Sequence, residues 1–220
     1  MLHFREELEE LQNKLLEMGG LVEAAIHNSV YALVERDEER AKEVMWNEAL
    51  VNQKEIEIDD LATRLLALFQ PMARDLRFLT AAIKMNNDLE RMGDLAVNIT
   101  ERAITLMKEP VLKPLIDIPR IAELAENMVH RALDAFAKRD ADLARDVLLA
   151  DDEVDSLRDA VYDELLVFMQ EEHTTINRAI SLMFIAQNLE RIADHATNIA
   201  EDVLFLVKGI DVRHHAETRE

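Results

Sequence analysis

Residues 188–201 of the chain read NLERIADHATNIAE, and residues 88–101 read DLERMGDLAVNITE. Between Leu89 and Glu101, eight of the thirteen positions match the residue found 100 positions later, and five of those eight are polar. A repeat that keeps its polar residues as well as its apolar ones indicates more than packing. We therefore interpret the chain as two copies of one helical unit, each with an acidic stripe along a helix.

The composition favours long helices. Of the 220 residues, 49% are hydrophobic and 32% are charged, while only 4 are Gly and 4 are Pro, which leaves few turn residues for a sheet. Cysteine is absent, so disulfides, thiolate metal sites and cysteine nucleophiles are excluded. We find no glycine-rich phosphate loop, nucleophile elbow or Ser/His/Asp arrangement.

The charge balance limits the class of partner. With 25 Lys and Arg against 45 Asp and Glu, the formal net charge is −20. Nucleic acid and anionic lipid are disfavoured as direct partners because both require a basic surface. We do not expect the first residues to form a signal peptide, because they have no basic region followed by an apolar run, and no apolar run in the sequence reaches the roughly 18–20 residues that cross a bilayer. We expect a cytoplasmic protein.

Apolar residues recur at three- and four-residue steps along most of the chain, which is typical of amphipathic helices. Six helices are predicted, at residues 8–33, 38–69, 75–106, 119–138, 141–171 and 176–208. Arg36-Asp37 and Arg139-Asp140 are expected turns, Thr174-Thr175 an expected cap and Gly209 an expected stop.

The predicted fold class is all-α, with two tandem, pseudo-symmetric three-helix bundles. Three of the four prolines fall between residues 109 and 119, which makes this stretch the best linker candidate. We divide the chain into a first repeat at 1–109, a linker at 110–119, a second repeat at 120–209 and a tail at 210–220.

Acidic residues are duplicated on the second and third helices of each unit. Each unit has an acid-x-x-x-Asp/Asn pair on one helix and a Glu-x-x-x-Asp pair on the next, and antiparallel packing would direct both pairs to one site. Four oxygen donors suit a hard cation, and bound cations would relieve the repulsion between carboxylates. The candidate ligands are Glu48, Asn52, Glu90, Asp94, Asp151, Asp155, Glu190 and Asp194.

Acid-x-x-x-acid spacing alone has little meaning in a chain with 45 acids, and most such pairs belong to solvated faces. Duplication is the filter. Glu55/Asp59 has the spacing and lies on the same stripe, but its counterparts are Arg158 and Tyr162, so we do not count it as a shared feature. Helix geometry places Glu190, Asp194, Asn198 and Glu201 within about 80° of one another, on or at the edge of the exposed face.

Two further pairs repeat at an offset of 103 residues. His27 matches His130, and Glu23 matches Glu126. We interpret the histidines as residues of a helix interface. The glutamates could have a structural role in that interface or a functional one, and the sequence leaves both readings open.

At these motifs the sequence resembles the PhoU family of phosphate-transport regulators. The resemblance covers nearly the whole chain. It rests on segments 18–22, 75–77, 89–94, 188–194 and 207–214, which read MGGLV, DLR, LERMGD, NLERIAD and VKGIDVRH. Ala193 stands where the family usually has Gly, and Leu95 where it often has His, so the two sites need not be alike.

The resemblance implies multinuclear metal clusters at the eight candidate ligands, with iron or another hard divalent cation such as zinc, manganese or magnesium. It also implies a non-enzymatic negative regulator, peripheral to the inner face of the membrane, between the ATPase of a phosphate ABC transporter and a sensor histidine kinase. Two alternatives stay open: a metal-free helical interaction module and, less favoured, a carboxylate-bridged metal enzyme. The oligomeric state is also open, with a homodimer as one option.

Overall fold

The computed structural model describes residues 2–210, which form six α-helices, one short 3₁₀ turn and no strand. The helices are α1 Leu2–Glu35, α2 Glu38–Phe69, α3 Ala73–Met107, α4 Asp117–Lys138, α5 Ala141–Glu171 and α6 Ile176–Lys208. The prediction of an all-α fold with six long helices is confirmed. Residues 211–220, which make up most of the predicted tail, lie outside this range.

The helices form two three-helix bundles that share one core. Helices α1, α2 and α3 pack on one another, as do α4, α5 and α6, and the two groups meet where α1 contacts α4 and α3 contacts α6. The buried apolar residues form one continuous cluster across both groups. Phe78 of α3 stacks on Phe136 of α4, with their ring centroids 5.7 Å apart. Helices α2 and α5 therefore lie on the outside, each against two inner helices of its own half.

The predicted turns are confirmed, and they repeat in detail. Asp37 accepts hydrogen bonds from the backbone amides of residues 39 and 40, and Asp140 accepts from those of residues 142 and 143. Arg36 and Arg139 precede them in the left-handed conformation, with φ of 56° and 54°. Each aspartate satisfies amides that the first turn of a helix leaves without partners.

Helices α1, α3 and α4 begin before the predicted residues, whereas α6 begins at the predicted residue, Ile176. α4 begins at Asp117 rather than Pro119, because a proline within the first turn lacks only an amide hydrogen that the helix does not use. α6 begins after Thr175, but the predicted side-chain cap is wrong. The Thr175 hydroxyl instead donates to the carbonyl oxygens of Phe168 and Glu172, at 3.0 and 2.7 Å, and ties the end of α5 to the turn.

The two adjacent glycines of α1 have different surroundings. A Cβ added at Gly19 would lie 2.5 Å from Leu133 Cδ1 of α4, whereas a Cβ at Gly20 would have no atom within 4 Å. Gly19 therefore allows α1 and α4 to approach closely. Gly20 faces the groove between these helices.

Helix α3 ends at Met107 and α4 begins at Asp117, so the segment between the halves lies at residues 108–116. Arg36 Nη2 donates to the carbonyl oxygens of Met107 and Glu109. These hydrogen bonds anchor the segment to the turn between α1 and α2. The division of the chain into two separate repeats stays a prediction.

Candidate metal centre

The four carboxylates predicted in the second half meet between α5 and α6. Asp151 and Asp155 project from α5, and Glu190 and Asp194 from its neighbour α6. Burial and, next, the charge of Asp194 raise the pKa of Asp151 to about 6, and Asp155 adds to this. Burial followed by carboxylate repulsion also raises the pKa values of Glu190 and Asp194. Such mutual repulsion requires the carboxylates to be close together.

Arg158 also lies within this second cluster. Its Nη1 is 2.9 Å from Glu190 Oε1 and its Nη2 is 3.5 Å from Asp155 Oδ1, while its Nε contacts Asp159 Oδ1 at 3.0 Å. The Arg158 side chain is 23% exposed. The second cluster therefore contains a cation of its own, and this guanidinium opposes the rise in the pKa of Glu190.

The first cluster lies between α2 and α3 and has a different composition. Burial raises the pKa of Glu90, and the charges of Asp94 and then Glu55 add to the rise, while Arg91 opposes it. Arg91 lies 3.5 Å from Glu90 and 3.6 Å from Asp94, but it projects from the same helix and its side chain is 58% exposed. Glu55 occupies the position that Arg158 has in the second half. At this position the first cluster therefore has a carboxylate, whereas the second cluster has a guanidinium.

Glu48 and Asn52 have half-buried positions on α2, beside a close contact between α2 and α3. Val51 lies between them in sequence, and a Cβ added at Gly93 would be 3.2 Å from Val51 Cγ1. Gly93 therefore lets α2 approach α3 closely next to Glu90 and Asp94. Within the described part of the chain, no hydrogen bond or ion pair joins Glu48 or Asn52 to the acids of α3.

Sequence reasoning missed two partners of the first cluster. Asn86, one turn before Glu90, donates its amide to Glu55 O and Asp59 Oδ1, both at 3.0 Å. Asn86 is 1% exposed, and its Oδ1 has no hydrogen-bond partner within residues 2–210. Glu55 had the right spacing and lay on the right stripe, but its lack of a counterpart in the other half excluded it.

The acidic stripe of α6 lies at the edge of the exposed face, as predicted, and it faces two different neighbours. Glu190 is only 15% exposed and faces α5. Asn198 and Glu201 line a groove against α3, where Asn198 donates to Asp88 at 3.2 Å. His195 contacts the same carboxylate at 2.8 Å. The stripe is therefore partly buried at one end and forms part of the interface between the halves at the other.

The chemistry of the two clusters fits a hard cation, since every predicted ligand offers oxygen and four of the carboxylates have raised pKa values. The side-chain positions do not yet form a cage. Across residues 2–210, no three Asp, Glu or His side chains are arranged to hold one metal ion. An ion would have to draw the carboxylates together and, in the second cluster, compete with Arg158.

Comparison with known proteins identifies the family. A family model described as "PhoU domain" matches this chain twice, at residues 15–103 and 118–203. The chain belongs to the PhoU family. A relative from Pseudomonas putida, a "phosphate-specific transport system accessory protein PhoU homolog", is 43% identical over 96% of this chain and 83% of its own length. A homolog of the same name from Pseudomonas aeruginosa is 42% identical over 98% and 90%.

Solved structures of PhoU proteins share the fold. The crystal structure of PhoU from Pseudomonas aeruginosa matches with a TM-score of 0.92 at 40% identity, covering 94% of this chain and all of that one. The phosphate transport system regulatory protein PhoU from Streptococcus pneumoniae matches with a TM-score of 0.88 at 29% identity, covering 95% and 99%. These relatives are named as accessory or regulatory proteins. Over residues 2–210, no helix has the length and apolar character needed to span a membrane.

Proposed function

We propose that this chain is a metal-binding accessory protein of a phosphate-specific transport system and that it represses phosphate uptake and phosphate-starvation signalling. The proposed partners are the ATPase of a phosphate ABC transporter and a sensor histidine kinase. Membership of a family whose relatives are named as accessory proteins of this transport system supports the assignment. The proposed location is the cytoplasmic side of the membrane, reached through protein partners.

The observation that carries the metal-binding part is the occurrence of one carboxylate cluster in each half of the fold. Two acidic pairs on adjacent helices face each other in the second half, and Glu90 and Asp94 face Glu55 in the first. Four of these carboxylates have raised pKa values, which indicates that the protein does not fully compensate their charge. A divalent cation would supply that compensation.

Metal content is the direct test. The chain, purified without chelator and without a nickel column, should contain iron, zinc, manganese or magnesium by elemental analysis. Glu90→Ala with Asp94→Ala should remove the metal of the first cluster, and Glu190→Ala with Asp194→Ala that of the second. Glu6→Ala with Glu10→Ala is the matched control, because this pair has the same spacing on exposed positions of α1. Equal metal content in all variants would refute the assigned ligands.

The partners are tested by capture from native membranes. The full chain, immobilised and incubated with detergent-solubilised membranes in high phosphate, should retain the transporter ATPase and the histidine kinase, identified by mass spectrometry. The two double variants should retain less if metal organises the binding surface, whereas the control pair should retain as much as the natural chain. Failure to retain either protein in both high and low phosphate would contradict the proposed partners.

One observation favours a metal-free interaction module as the second candidate. Arg158 forms ion pairs with Glu190, Asp155 and Asp159, so part of the second cluster is neutralised without metal. If both clusters work in this way, the acidic surface binds basic partner surfaces directly. Membrane capture that persists after complete metal removal would support this alternative over metal-dependent binding.

A further inference from the structure

A groove of about 580 Å³ runs between α1 and α4, away from both carboxylate clusters. It contains the repeat pairs of histidines and glutamates. His130 Nδ1 lies 3.0 Å from Glu23 Oε1, and His27 Nδ1 lies 3.4 Å from Glu126 Oε2. The groove thus contains two histidine–glutamate pairs, each formed across the interface between the halves.

The register of the two helices brings these pairs close together. Glu23 faces His130, and four residues later His27 faces Glu126, which lies four residues before His130. Contacts that advance along one helix and retreat along the other belong to antiparallel neighbours. One helical turn separates the pairs, a distance of about 6 Å along the axis. Each helix therefore presents one carboxylate and one imidazole on the same face at i and i+4.

We propose that this groove binds a divalent transition-metal ion, with Zn²⁺ as the best match, through four side chains: Glu23, His27, Glu126 and His130. Two imidazoles and two carboxylates are a donor set that suits Zn²⁺, which prefers four ligands in a tetrahedron. The carboxylate clusters offer oxygen alone. The groove is therefore a chemically distinct site, and the inference does not depend on the proposed regulatory function.

In this structure the four donors form two separate pairs and do not surround one point. The side chains must rotate to enclose an ion, and the surroundings allow this. Both histidine side chains are 64% exposed, so their rotation displaces solvent rather than core. Gly20 also lines the groove, and even a Cβ there would meet no atom within 4 Å. The ion would replace the contact within each pair by two bonds to itself.

The electrostatics of the groove favour a cation. Glu123 also lines it and faces the same space as Glu23 and Glu126. Burial raises the pKa of Glu126, and the charges of Glu123 and Glu23 add to the rise against the opposing effect of His27. A bound divalent ion would relieve this repulsion. Imidazole binds a metal ion only when it is neutral, so protons compete with the metal for this site.

The experiment is titration of the untagged full chain with Zn²⁺ by calorimetry. The titration uses a background variant in which four cluster carboxylates are replaced by Ala, so that the clusters do not contribute to Zn²⁺ binding. The replaced residues are Glu90, Asp94, Glu190 and Asp194. One Zn²⁺ per chain should bind. In that background, H27Q with H130Q should weaken binding by roughly tenfold or more, since each tenfold corresponds to only about 1.4 kcal/mol. H173Q is the control, because His173 is exposed and lies outside the groove.

Cobalt substitution gives a second readout that does not depend on affinity. Co²⁺ in the background variant should show the strong visible absorption of a four-coordinate site, and H27Q with H130Q should abolish it. Circular dichroism establishes that the variants fold. Unchanged Zn²⁺ affinity and Co²⁺ absorption in folded H27Q/H130Q would overturn the site, as would absence of Zn²⁺ binding by the background variant. Neither result would bear on the carboxylate clusters, whose metal content is measured separately.

Discussion

Replacing Asp151 by Asn should stabilise the metal-free protein at neutral pH. The Asp151 carboxyl has a pKa of about 6 in the folded protein against 3.8 for an unperturbed aspartate, chiefly because of burial and the charge of Asp194. Ionising it therefore takes about 3 kcal/mol more in the folded than in the unfolded chain. The residue is only half-buried and solvent screens the repulsion, so we expect a net gain of about 1 kcal/mol in the free energy of unfolding.

The pH dependence follows from the sign of this shift. The folded-state pKa is raised, so stability from this group is complete below pH 3.8 and is lost as the pH rises through about 6. Asn copies the neutral carboxyl at every pH. The advantage of D151N over the natural chain should therefore be greatest above pH 7, fall to about half near pH 5 and vanish at lower pH.

Urea denaturation in the presence of a chelator, followed by circular dichroism at pH 7.5, 6 and 5, measures this gain. D152N is the control, because Asp152 is the exposed neighbour of Asp151 on α5. Adding a divalent cation should reverse the effect, since the natural chain then gains a ligand that Asn supplies less well. If D151N were no more stable than D152N at pH 7.5, or gained equally at all three pH values, the account of repulsion in the second cluster would be wrong.

Five other substitutions test three separate features. Gly20→Ala should raise the free energy of unfolding by up to about 1 kcal/mol, because Ala has the higher helix propensity and its Cβ meets no atom. Gly19→Ala should give no gain or a loss, because its Cβ must displace Leu133. Thermal denaturation compares the two variants. Asp37→Ala should cost about 1 kcal/mol in urea denaturation by removing the cap of α2, while Asp37→Asn should restore most of it. Arg158→Glu should increase the amount of Mn²⁺ that the second cluster binds in equilibrium dialysis. The substitution removes the guanidinium that pairs with Glu190 and introduces a carboxylate, as Glu55 does at the equivalent position of the first cluster. Unchanged binding would show that Arg158 does not compete with metal.

The helices were predictable because their causes are local. Apolar spacing, the aspartate turns and Gly209 each act within a few residues, and α2 and α5 begin and end where the sequence predicts. The exceptions have local causes too. Pro119 fits inside the first turn of α4, and Thr175 bonds to the end of α5, where the sequence had suggested a cap for α6.

The surroundings of the candidate ligands were less predictable because they depend on helices distant in sequence. Helix geometry divides α6 into an apolar and a polar side, but it does not reveal that Asn198 on the polar side donates a hydrogen bond to Asp88 of α3. Duplication identified the residues that the halves share. It also hid the residues that distinguish the halves, since Glu55 and Arg158 were set aside for differing. Glu55 nevertheless adds to the repulsion at Glu90, and Arg158 forms an ion pair with Glu190.

The close contact of α1 with α4 and of α3 with α6 has a consequence for how such a chain could arise. Equivalent helices of the two halves contact each other, so the junction has the form of an isologous interface in which one patch meets its own copy. A single ancestral half would have exposed that patch and buried it by pairing with an identical chain. Fusion of two such genes would keep the interface and free each copy to diverge, as residues 55 and 158 have done. In such a fused chain the two halves form their interface within one molecule, so the interface does not depend on protein concentration.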